Sequence, residues 1–315
     1  MDLAAKLVDP RAALFLYGTT PPREGSSAET VRTAAARLVE RLRQVKLDGL
    51  VVYDLQDESA RTDVPRPFPF VRTLDSRAYS RLLAELGGPP AITYKCIGPL
   101  DEAGWRGWLD ETARAFDVRC LSVVGRPSSR GAPYPLTVQR AFALAAAHPA
   151  GFTLGGVAIA ERCGASPAEA SRMAEKTAAG CRYFVTQAVY DAEATVLLLR
   201  DYARECARRG VPPCRVVLTF TPCGRSRTMD FMKWLGIAIA AATERAILAA
   251  PDPLARSIEV CRDNLRAVLA QPGFAAVPLG LNVESVSIHR DEIDGSVALC
   301  TELAGVLAGA HRPAG

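Results

Sequence analysis

Eight short apolar runs, at residues 14–17, 49–53, 91–96, 119–124, 152–157, 183–185, 215–220 and 277–281, recur along the chain, most of them ending in a polar or glycine-rich turn. Between them lie stretches whose apolar positions repeat every three or four residues, the spacing of a helix face. Thr30 and Val31 open one such series, which continues through Leu38 and Leu42, with Ser26 or Ser27 placed to cap it. Ser166-Pro167 followed by Glu169 supplies another cap, a first-turn proline and a carboxylate at the positive helix end, and that helix is expected to stop at Ala179-Gly180. Strands alternating with helical stretches imply βαβ units and a parallel sheet, because a parallel crossover needs about a dozen residues and a helix spans them. Eight such units closing on themselves predict an α/β fold, a single (β/α)8 or TIM barrel spanning residues 1–315. The stretch 226–271 is longer than one crossover needs and predicts an insertion of two or three helices before strand eight, interrupted at Pro251-Asp252-Pro253.

In such a barrel chemistry collects at the carboxyl ends of the strands. Strand one runs into Tyr17-Gly18-Thr19-Thr20, strand two into Asp54, Asp57 and Glu58, and strand three ends on Tyr94, Lys95 and Cys96. Strand four leads to Gly125-Arg126, strand five to Glu161, strand six to Thr186-Gln187, strand seven to Thr219 and Thr221, and strand eight to Asn282 and Glu284. The mouth is therefore expected to carry carboxylates, amides and hydroxyls. The three histidines, His148, His289 and His311, fall on helices or beyond them, which disfavours a histidine base.

Composition narrows the setting. The 49% hydrophobic content supplies a large core, and no apolar run approaches the roughly 18 residues that cross a bilayer. The opening MDLAAKLVDP lacks the long apolar region of a signal peptide, so a cytoplasmic protein with no membrane partner is expected. Nine cysteines with no C-x-x-C pair read as small buried hydrophobes of a reducing compartment, and neither a disulfide framework nor a metal site is expected. The net charge of +4 is spread over arginine-rich helix faces such as Arg37, Arg41 and Arg43, the pattern of a solvated face and not of a nucleic-acid patch.

With these residues in place the chain resembles the methylenetetrahydrofolate reductase family. The resemblance rests on Pro21-Pro22-Arg23 after strand one and Val123-Val124-Gly125 at strand four. It continues in Glu175-Lys176-Thr177-Ala178-Ala179-Gly180 leading to Phe184-Val185-Thr186-Gln187 and Tyr190-Asp191, and in the closing Asn282-Val283-Glu284-Ser285-Val286-Ser287. It spans nearly the whole chain, and the stretch from Lys176 to Gln187 is its specific part. The segment 215–235, with Leu218-Thr219-Phe220-Thr221-Pro222 and Phe231-Met232-Lys233-Trp234-Leu235, is similar to a divergent actinobacterial branch without flavin. The resemblance implies a reduced folate, methylenetetrahydrofolate, bound across the strand ends. Gln187 would pair with the pterin edge, since a carboxamide offers both donor and acceptor. Thr186, Tyr190, Arg126, Asn282, Glu284 and Lys95 complete the expected folate-binding set, with Thr186 and Lys176 also readable as structural.

Two departures change the implied chemistry. Flavin-dependent members carry a glutamate general acid three residues ahead of the Pro-Pro, where this chain has Gly18, and an aspartate where it has Arg126. FAD is therefore not expected. The replacement acid is sought among Glu161, Asp57, Glu58 and, as a phenol, Tyr17, with Glu161 the leading candidate because strand five ends near Gln187. The expected activity is that of a flavin-independent oxidoreductase using NAD(P)H directly, or of a transferase passing the one-carbon unit to a small-molecule acceptor. A folate-binding or regulatory protein without catalysis is the alternative.

Overall fold

In a computed structural model, described over residues 1–59, 62–125, 135–162, 168–272 and 276–310, the elements run in the order the apolar pattern implies. They are α1 (Leu3–Val8), β1 (Phe15–Thr19), α2 (Ala28–Leu42), β2 (Gly49–Val52), α3 (Ser76–Glu85), β3 (Ala91–Cys96), α4 (Glu102–Glu111), β4 (Cys120–Val124), α5 (Val138–Ala146) and β5 (Thr153–Ala158). There follow α6 (Glu169–Ala178), β6 (Tyr183–Ala188), α7 (Ala192–Arg209), β7 (Arg215–Phe220), α8 (Ser226–Trp234), α9 (Ala241–Leu248), α10 (Pro253–Leu269), β8 (Leu279–Glu284) and α11 (Arg290–Ala310). The eight strands pair in sequence order, all parallel, and β8 closes on β1 as a (β/α)8 barrel.

Local signals account for the helix ends. Ser27 accepts from the Thr30 N–H and starts α2, and Asp252 accepts from the Ala255 N–H with Pro253 in the first turn of α10. The other candidate cap, Ser166-Pro167, lies outside the described residues; α6 begins after Ala168 without a side-chain cap. Gly180, at φ +107°, takes the left-handed turn that ends α6. No helix among the described residues is long and apolar enough to cross a membrane.

Two apolar layers follow from the period of two along each strand. Leu16, Val51, Ile92, Tyr94, Cys120, Tyr183, Val185 and Val217 point inward and fill the barrel, while α1 plugs its amino-terminal end with Leu3 and Leu7. The alternate residues, among them Tyr17, Val52, Leu121, Phe184, Leu218 and Val283, face the helices. Tyr183 crosses the interior to donate to the Leu121 carbonyl at 2.8 Å. Its ring needs Gly155 opposite, where a Cβ would stand 2.1 Å from a ring carbon.

The β6–β7 ladder breaks register between Val185 and Ala188, and there the Thr186 hydroxyl accepts the Thr219 N–H at 2.9 Å. This bulge satisfies a backbone donor that the interrupted ladder would leave unpaired, and it sits next to Gln187 at the mouth.

Candidate functional site

The carboxyl end of the barrel is polar on the side where β7, β8, β1 and β2 meet. Inward parity places Thr219, Asn282, Glu284, Gly18 and Tyr53 together there. Gly18 and Glu284 are register partners on adjacent strands. Tyr53 donates to Glu284 Oε2, and its ring meets Tyr94 edge-on with centroids 4.8 Å apart. Asn282 Nδ2 reaches the Tyr53 hydroxyl at 3.2 Å and Thr219 Oγ1 at 3.3 Å. Because the single Tyr53 proton goes to the carboxylate, the phenol oxygen must accept from Asn282, which fixes that amide with its nitrogen toward Tyr53. Asn282 Oδ1 is then left as a fully buried acceptor without a partner.

Electrostatics follow from this packing. Part of the Glu284 surface opens to the mouth, but its carboxyl is set against Tyr53 and Tyr94, and loss of solvent raises its pKa from 4.5 to about 7, opposed by the Tyr53 hydrogen bond. Tyr53 itself is pushed well above the ordinary phenol value, first by burial and then by the neighbouring Glu284. The group that changes charge near neutrality is therefore the carboxyl, not the phenol.

Across the mouth the expected residues are spread over different tasks. Gln187 is half-buried and its Nε2 donates to the Leu235 carbonyl at 2.7 Å, which leaves the amide oxygen and a second N–H for a ligand. Glu161 lies in a short 3-10 turn after β5, accepts the Ala238 N–H at 3.2 Å, and is shifted upward mainly by burial. Asp57 is exposed, accepts from Ser59, and is held below the ordinary carboxylate value by those hydrogen bonds, the opposite of what an acid catalyst needs. Glu58 lies close enough to Arg66 and Cys96 to act on both electrostatically.

Several expected site residues are turned away from the mouth. Tyr17 does not stand in for the missing acid: it faces the helix layer, pairs with Ser296 on α11 at 2.7 Å, and is pushed up to about 12 by burial. Tyr190 does not face a ligand either, since its hydroxyl donates to the Thr221 carbonyl at 2.8 Å and meets Ser257 of α10 at 3.1 Å. Lys95 is engaged with Asp54 at 3.4 Å and lies over the Trp108 ring of α4, on the outer face of β3. Asp54 in turn accepts the Cys96 N–H at 2.9 Å, so this pair stitches β2 to β3. Thr186 is consumed by the bulge. Lys176 is structural as well, its ammonium donating to the Val157 carbonyl behind the sheet. Arg126 lies outside the described residues.

Neither a protein-family model nor a curated protein sequence matches this chain. A solved structure does. An uncharacterized protein from Clostridium thermocellum, described as binding two copies of 5-methyl-5,6,7,8-tetrahydrofolic acid, shares its fold with a TM-score of 0.80. The two sequences are 29% identical, and the match covers 96% of this chain and 99% of that one.

Two residues of the polar cluster, Tyr53 and Gly18, do not stand out in the sequence: Tyr53 reads as the end of a strand, and Gly18 as a gap where an acid is absent. Counting by twos from Val51 would have turned Tyr53 inward, and the closure of β8 on β1 would have set Glu284 beside Gly18.

Proposed function

We propose that this barrel binds a reduced folate at its carboxyl end and acts on the one-carbon unit, as an enzyme similar to methylenetetrahydrofolate reductase. The observation that carries this reading is the Glu284, Tyr53 and Asn282 cluster, an acid held by Tyr53 and partly open to the mouth of a barrel similar to a structure described as binding 5-methyltetrahydrofolate. Gln187, half-exposed at the mouth, offers an acceptor with one remaining donor to the mixed edge of a pterin.

The catalytic reading is favoured over that of an inactive folate-binding protein by the same carboxyl. A carboxyl whose surroundings raise its pKa toward neutrality is suited to proton transfer there, which supports the catalytic reading. With a nicotinamide NAD(P)H as partner the one-carbon unit is reduced; with a carbon or nitrogen nucleophile it is transferred. No step in this scheme is assigned to FAD, and no flavin is expected to copurify.

The test is titration calorimetry with 5-methyltetrahydrofolate, followed by mass analysis of the products from methylenetetrahydrofolate, with and without NADH or NADPH. Saturable binding and conversion of the methylene carbon are expected. Absence of binding would overturn the folate reading, and binding with no conversion by any acceptor would overturn the enzyme reading. A stoichiometric yellow chromophore on the purified protein would overturn its flavin-free form.

A further inference from the structure

The methylene bridge of the folate is an aminal, a carbon held between N5 and N10, and neither nitrogen leaves as an anion. Opening it requires a proton on the departing nitrogen. We propose that Glu284, presented by β8 and oriented by Tyr53, is the acid that protonates N10, in place of an acid on β1 that Gly18 excludes. The proposal rests on the folate reading above.

Three features of the geometry point to this assignment. First, Gly18 and Glu284 are paired across the β1–β8 ladder, and adjacent strands lie about 4.8 Å apart, so a carboxyl on either strand reaches the same region of the mouth. Secondly, the two positions exclude one another as hosts: a Cβ on Gly18 would lie 2.9 Å from the Tyr53 hydroxyl and 3.0 Å from Glu284 Cβ. The bare glycine is what lets the β8 carboxyl and its tyrosine occupy this corner. Thirdly, the hydrogen bonds have one direction. Asn282 donates to Tyr53 and Tyr53 donates to Glu284 Oε2, so the proton of the neutral acid belongs on Oε1.

The step balances without another reactant. The Oε1–H proton passes to N10, the bond from the methylene carbon to N10 breaks, and its electron pair stays on N10 as the lone pair of a neutral amine. The carbon remains on N5 as a methylene iminium, and its positive charge is matched by the Glu284 carboxylate, which keeps the Tyr53 hydrogen bond. Burial that resists ionisation before the step is offset within it, because the carboxylate and iminium form together. The upward displacement of the Glu284 pKa toward neutrality supports this role by keeping a proton available at physiological pH. The titratable groups facing it inside the barrel are Tyr53 and Tyr94, and Tyr17 acts on it only from the opposite face of β1; none of the three ionises in that range.

The test compares the wild-type protein with Glu284→Gln, an isosteric change that removes the transferable proton. 5-Methyltetrahydrofolate, which has no bridge to open, reports binding, and turnover of methylenetetrahydrofolate reports the step. The variant is expected to bind within about threefold of wild type while kcat falls by at least about 100-fold, the lower range for a general acid. On the unmodified protein, kcat/KM is expected to fall as pH rises through about 7, a limb absent from the residual activity of Glu284→Gln. Full activity in the variant, or a flat wild-type profile between about pH 6 and 8.5, would overturn the assignment while leaving the folate reading intact. The wild-type profile decides the matter even if the variant misfolds. A wild-type protein that fails to bind the folate or to turn it over would overturn the underlying reading and the assignment with it.

Discussion

Gly18 and Glu284 face one another across the β1–β8 ladder so closely that only one of the two can carry a side chain into the corner beneath Tyr53. Gly18→Ala tests this directly. The added Cβ meets the tyrosine hydroxyl at 2.9 Å and must displace it or the carboxyl. Overpacking of this kind costs about 1–3 kcal/mol, so a modest fall in melting temperature is expected. The larger effect should be on kcat, by tenfold or more, with 5-methyltetrahydrofolate affinity kept within about threefold. An alanine variant with wild-type turnover would show that the corner is not where the reaction occurs.

Glu284 also links stability to pH. Its pKa is raised on folding from 4.5 to about 7, so the folded state favours the protonated form. The associated stability is fully present below about pH 4.5 and is lost as pH rises through about 7. At about 1.4 kcal/mol per unit, the loss is up to about 3 kcal/mol, an upper bound because one edge of the carboxyl is open to water. Melting curves at pH 6 and 8 should therefore converge in Glu284→Gln relative to wild type. An identical pH dependence in both proteins would mean that the carboxyl is solvated.

Much of this architecture is visible in the chain before any coordinates. The runs 91–96 and 215–220 coincide with β3 and β7, because buried parallel strands are continuous apolar stretches. The same property hides which residues face inward. In Leu14-Phe15-Leu16-Tyr17 every residue is apolar or aromatic, so the period of two leaves no trace and Tyr17 reads as a mouth residue when it faces α11. The opposite error occurs where strands end. The apolar run 277–281 stops short of Asn282 and Glu284, yet β8 continues to Glu284, its inward positions polar because they line the site. Likewise Thr186 and Gln187 extend β6 beyond residue 185 through a bulge that no hydrophobic pattern encodes. The sequence does not single out Glu284 as the acid because its partner, Tyr53, is 231 residues away and is brought to it only by barrel closure.

Gln187 carries a structural bond as well as an expected ligand contact. Gln187→Ala removes the proposed pterin partner and is expected to weaken 5-methyltetrahydrofolate binding by about 1–3 kcal/mol. It also frees the Leu235 carbonyl, now bonded at 2.7 Å, at a stability cost of about 1 kcal/mol. Calorimetry and thermal melting separate the two. Lost stability with unchanged folate affinity would confine Gln187 to holding the segment after α8.

Tyr53→Phe distinguishes a tyrosine that positions the acid from one that merely packs. The phenol donates to the carboxylate oxygen, an interaction that stabilises the ionised form and lowers the Glu284 pKa against the larger effect of burial. Without it the carboxyl should hold its proton to higher pH, so the falling limb of kcat/KM moves upward from about 7. At low pH, where Glu284 is protonated in both proteins, the variant still has its acid, but the developing carboxylate loses a charge-assisted hydrogen bond. Such bonds contribute about 1.5–3 kcal/mol, which corresponds to a fall in kcat of roughly tenfold to a hundredfold. The phenyl ring retains the edge contact with Tyr94, while Asn282 Nδ2 loses one acceptor and the melting temperature drops slightly. A purely packing role predicts the drop in melting temperature alone. An upward-shifted limb together with a reduced plateau is the signature of Tyr53 acting through Glu284, and an unmoved limb would remove Tyr53 from the proposed proton transfer.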